Sequence, residues 1–89
     1  MESIWIFHGD GGEIAAGAFS SKDKAEEWIK QNGLTGCLTK YPIDQALYDW
    51  AVQRGYFVIK RDEHKTADFI QAFTSASSEH YHYERGNLY

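Results

Sequence analysis

The stretch Leu34–Phe57, LTGCLTKYPIDQALYDWAVQRGYF, decides the fold. Leu34 to Tyr41 reads as a strand of apolar and β-branched residues. Pro42 stops it, because proline has no N–H to give to a ladder. Asp44 is placed to cap a helix from Gln45 to Arg54, with Leu47, Trp50 and Ala51 as its buried stripe. Gly55 ends that helix, and Tyr56–Lys60, YFVIK, reads as the next strand. So many large apolar side chains in alternating strand and helix segments predict a layered core.

Toward the N-terminus, Ser3–His8, SIWIFH, is a strand that is apolar on both faces, as a strand covered on both sides would be. Gly9–Gly12 makes a turn, and Glu13–Phe19 a weaker strand, so the pair reads as a hairpin with a four-residue loop. HGDGG has neither phosphate-loop spacing, and a strand rather than a helix follows it, which leaves no dipole to hold an anion. Ser20 and Ser21 both offer N-caps, and Ser20-x-x-Asp23 resembles a capping box. Ala25, Trp28, Ile29 and Asn32 then fall at helical spacing, which predicts a helix over Ser21–Gln31 with Gly33 just past its end.

Toward the C-terminus, Arg61–Lys65 reads as a charged, flexible loop containing His64. Thr66 caps a third helix with Phe69, Ile70 and Phe73 on one face. His80–Glu84, HYHYE, alternates like a final strand, and Arg85–Tyr89 reads as a tail. The order is ββαβαβαβ in one α+β (α/β-like) domain over residues 1–89. One small mixed sheet of four or five strands with three helices is expected, the βαβ stretches giving parallel neighbours.

Composition narrows the function classes. Aromatic residues make 16% of the chain, enough to build a core at this length, since each buried ring removes about 150–250 Å² from water. The single cysteine, Cys37, excludes an internal disulfide and a thiolate-only zinc site. Net charge is −4 without a basic patch, which argues against nucleic acid. An acidic surface suits a basic protein partner. No run is apolar enough for a signal peptide or a membrane span, so the cytoplasm is the expected location.

Several motifs occur in order: Trp5-Ile6-Phe7-His8-Gly9, Leu34-Thr35-Gly36-x-Leu38-Thr39-x-Tyr41-Pro42, Tyr48-Asp49-Trp50-Ala51 and Glu79-His80-Tyr81-His82-Tyr83-Glu84. With them the chain resembles an uncharacterised family of small bacterial soluble single-domain proteins, a domain of unknown function. That resemblance spans nearly the whole chain and implies no activity, substrate or cofactor. In size and acidity the chain is also similar to immunity proteins that neutralise bacterial toxins.

Three sets of residues are candidates for chemistry or contact. On a strand His80, His82 and Glu84 share one face, a donor set that suits zinc or non-haem iron, with His8 able to join if its strand is adjacent. Tyr81 and Tyr83 share the other face, either packed inward or, in a binding reading, exposed to a partner. Asp49 beside Trp50 could accept from a buried Tyr or Trp donor, and His64 sits in the charged loop as a contact candidate. The favoured reading is a small acidic non-catalytic protein-binding module. The alternatives are a metal-binding protein or small metal-dependent enzyme, and a homo-oligomer. No cofactor is called for.

Overall fold

Five strands form one sheet in the computed structural model, which describes residues 2–89. They are β1 (Ser3–Gly9), β2 (Gly17–Phe19), β3 (Gly36–Pro42), β4 (His80–Glu84) and β5 (Asn87–Leu88). Helices α1 (Lys22–Asn32), α2 (Leu47–Gln53) and α3 (Ala67–Gln71) and a 3-10 turn at Asp62–Lys65 complete an α+β fold. No described helix is long and apolar enough to cross a membrane.

The spatial order is β2-β1-β3-β4-β5, and every neighbouring pair is antiparallel, so the sheet is not mixed. The α1 crossover does join two parallel strands, β2 and β3, but β1 lies between them and pairs antiparallel with both. The first hairpin is looser than its glycines imply. Gly9–Gly12 does turn, with the Gly12 N–H donating to the Gly9 carbonyl at 3.0 Å, yet β2 begins only at Gly17.

Alternation builds the core. Phe7 stands opposite Leu38, which stands opposite Tyr81; Gly36 stands opposite Tyr83. Trp5, Phe7, Leu38 and Tyr83 close on Ala25 and Ile29 of α1, and Trp28 packs edge-on to Phe7 with ring centroids 5.7 Å apart. A side chain on Gly36 would collide with the His8 carbonyl and lie 2.8 Å from Gly9 Cα, so glycine is what lets β1 and β3 close there. The cap of α1 is Ser21 rather than Ser20: its Oγ accepts from the Lys24 N–H at 3.2 Å. Gly33, at φ 61°, turns the chain out of the helix as expected.

Between β3 and β4 the chain makes an excursion without strands, and several expectations fail there. Asp44 does not cap α2; it sits at φ 62°, and Ala46 precedes the helix without a side-chain cap. The buried residues of α2 are Tyr48 and Ala51, with Leu47 and Trp50 half-buried. Tyr56–Lys60 is not a strand, because the Tyr56 and Phe57 amides both donate to the Ala51 carbonyl, at 2.8 and 3.2 Å, and fold the chain back on the helix end. Phe57 then joins Tyr48, Phe69 and Phe73 in a second aromatic cluster. Nor is Arg61–Lys65 a flexible loop: the 3-10 turn places His64 inside that cluster, 5.1 Å from the Phe57 ring and 4.9 Å from the Phe69 ring. Its Nδ1 accepts from the Lys60 N–H at 3.2 Å, and its carbonyl accepts from Tyr48 Oη at 2.7 Å. Thr66 caps α3 as expected, its Oγ1 accepting from the Phe69 N–H, but the helix stops at Gln71. The C-terminal tail pairs: Asn87 and Leu88 form β5 against Glu84 and Tyr83.

Candidate functional site

The alternation that sends Trp5, Phe7, Leu38, Tyr81 and Tyr83 toward α1 puts nine other residues on the opposite side of the three central strands. These are Ile4, Ile6 and His8 on β1, Cys37, Thr39 and Tyr41 on β3, and His80, His82 and Glu84 on β4. They lie in cross-strand rows: His8 opposite Cys37 opposite His82, Ile6 opposite Thr39 opposite His80, and Ile4 opposite Tyr41. The histidines and Glu84 are exposed, and the apolar and hydroxyl residues between them are half-buried. This face is open to solvent.

Its chemistry differs from that of the chain as a whole. A quarter of all residues are charged, yet with neutral histidines only Glu84 among these nine carries a charge. Glu2 and Asp10 flank the two ends of β1, so the rim is acidic; Arg85, at the turn after β4, is the nearest base in sequence. A depression of about 350 Å³ at one end is lined by His8, Asp10, Cys37, His82, Glu84 and Tyr89. Cys37 Sγ lies 3.6 Å from Thr39 Oγ1. His80 Nδ1 is 2.7 Å from the Ser78 carbonyl, to which it donates, and its ring stands edge-on to His82 with centroids 5.3 Å apart.

The other candidate residues fall elsewhere. Tyr83 is buried in the core, where its hydroxyl donates to Glu26 of α1 at 2.7 Å. Burial, and then that bond, push the Tyr83 hydroxyl above the usual tyrosine range. The same bond is the main cause that holds the Glu26 carboxyl below its ordinary range; Lys22 and Lys30 add to it, and partial burial opposes it. Tyr81 is half-buried on the same side and donates to Glu79 at 2.6 Å, with the Lys22 ammonium 4.1 Å above its ring. The bond to Glu79 is the main cause that raises the Tyr81 hydroxyl. Neither tyrosine belongs to the open face.

Asp49 is exposed on α2, and Tyr48 gives its hydroxyl to the His64 carbonyl rather than to it. Trp50 packs against Tyr56, ring centroids 5.3 Å apart, in a cleft it shares with Lys40, Arg54 and Glu79. His64 is held among aromatic rings. His80, His82 and Glu84 do share a face, but His8 is two strands from His82 with Cys37 between. Among the described residues, no three His, Cys, Asp or Glu side chains form a group that could hold a metal ion.

Sequence reasoning missed Ile4, Ile6 and Thr39 as site residues and grouped Tyr41 with Tyr48, Asp49 and Trp50 instead, although the signal was present. A strand apolar on both sides implies cover on both sides, and this chain supplies cover on one. Residues 4–89 match the family described as a domain of unknown function (DUF7710). No curated protein matches the chain, and no solved structure does. Since the match leaves out only the first three residues, the chain belongs to that family of a domain of unknown function.

Proposed function

We propose that the chain is a non-catalytic protein-binding module that docks a basic protein on the open face of its sheet. One observation carries this reading: β1 is apolar on both faces, as a doubly covered strand is, yet Ile4 and Ile6 on its outer side are only half-buried. Charge depletion at the centre and a polar rim are the anatomy of a protein interface. Glu2, Asp10 and Glu84, with a net charge of −4, favour a basic partner. A second copy of the chain fits less well, because it brings the same acidic rim to the contact. The likeness in size and acidity to toxin-neutralising immunity proteins agrees with this reading, which places the chain in the bacterial cytoplasm as part of the proposal.

The test is affinity capture from a lysate of the source organism on three immobilised proteins: wild type, Ile6→Lys, and Glu27→Gln as a control on the exposed side of α1. A basic protein held by wild type and by Glu27→Gln, released by rising salt and absent from a folded Ile6→Lys column, is the expected result. Equal retention on Ile6→Lys would overturn the assignment of the face.

A further inference from the structure

We infer that this docking face is gated by pH: it holds its basic partner near pH 7.5 and releases it in mild acid. The inference rests on the docking reading above and adds its regulation. Three of the nine positions on the face are histidines, His8, His80 and His82, and all three are exposed. Imidazole is the side chain that gains charge between pH 8 and 5. Asp10 and Glu84 line the end depression with His8 and His82, Glu2 lies just before the far end of β1, and Arg85 follows Glu84. Three imidazolium groups beside Arg85 would more than offset these carboxylates, so the negative field that attracts a basic partner would be lost.

The placement fits that role. His8 faces Cys37 across the ladder and shares the end depression with Asp10. His82 faces Cys37 from the other strand, with Glu84 and Tyr89 in the same depression. His80 faces Thr39, and its Nδ1–H is already committed to the Ser78 carbonyl, so a proton taken up at Nε2 leaves that bond intact. His80 and His82 stand ring to ring at 5.3 Å, and a partner seated over them would cover both charges together. Carboxylates, Lys and Arg keep their charge between pH 7.5 and 5.5, so the change in charge on the face comes from the histidines.

The experiment uses a fluorescent dodecapeptide of alternating Lys and Leu as the basic, strand-forming probe. Its binding to the intact chain is followed by anisotropy at fixed low ionic strength, at pH 7.5 and 5.5. Wild type is expected to lose tenfold or more in affinity between the two, and a His8→Gln/His80→Gln/His82→Gln variant less than twofold. Equal loss by both proteins, or no loss by wild type, would overturn the gate and leave the docking reading standing. Absence of binding at pH 7.5, or binding that a folded Ile6→Lys variant retains, would overturn the docking reading itself. Circular dichroism at both pH values confirms that each variant is folded.

Discussion

Tyr83 and Glu26 are 57 positions apart and joined by a 2.7 Å hydrogen bond, the polar link between β4 and α1. Tyr83→Phe keeps the ring in the core and removes the link, so unfolding free energy at pH 7 is expected to fall by about 1–2 kcal/mol, read by urea denaturation. The pH dependence has a definite sign. The folded state holds Glu26 below its ordinary range, so its contribution is complete above that range and is lost as pH falls through it. Tyr83 is raised in the fold, so unfolded tyrosine ionises first and stability declines as pH climbs past the usual tyrosine value. Tyr83→Phe should flatten both ends of the stability profile; an unchanged acid limb would show that Glu26 is not coupled to this hydroxyl. That Tyr83 shares a face with Tyr81, opposite the histidines, is legible in HYHYE from alternation alone. Which face turns inward is not, and neither is the partner of Tyr83, since nothing local selects Glu26 from the acids of α1.

At the scale of elements, the α1–sheet unit and the segment between β3 and β4 are built differently. The first has continuous ladders and a helix capped at both ends. The second has two short helices and a 3-10 turn held by the rings around Tyr48, with Tyr48 Oη on the His64 carbonyl. Helices of this length gain little from propensity and depend on packing. Hydrogen exchange followed by NMR should therefore show amides of Leu47–Gln53 and Ala67–Gln71 exchanging well before those of Gly36–Lys40. Tyr48→Phe should speed the first two segments and leave the ladder unchanged. Uniform exchange across all three would mean that the chain opens as one unit. This segment is also where local reading fails. YFVIK has strand propensity, but propensity only says that a residue suits a pleated, half-buried surface. Here Ala51, Tyr48 and His64 offer the amides and rings of that run a competing set of partners.

The whole molecule is elongated, 45 × 28 × 20 Å, with a Cα radius of gyration of 14.4 Å. A compact domain of this length would have about 12 Å. The excess fits an aromatic segment that extends the molecule rather than lying on the open sheet face. Solution scattering is expected to agree with the longer shape. A value close to that of a compact domain would mean that the segment folds back on the sheet, and the extended arrangement would be overturned. Much of the architecture follows from the chain itself: α1 with its start and stop, the strands around Trp5, Leu38 and Tyr83, and their inward and outward residues. Each rests on periods of 2 and 3.6 and on caps within a few residues. Tertiary structure alone decided that β1 lies between β2 and β3, that YFVIK leaves the sheet, and that one side of β1 stays uncovered. Each of those is a choice among partners distant in sequence, settled by which rings and amides meet in space, and local periodicity carries no record of it.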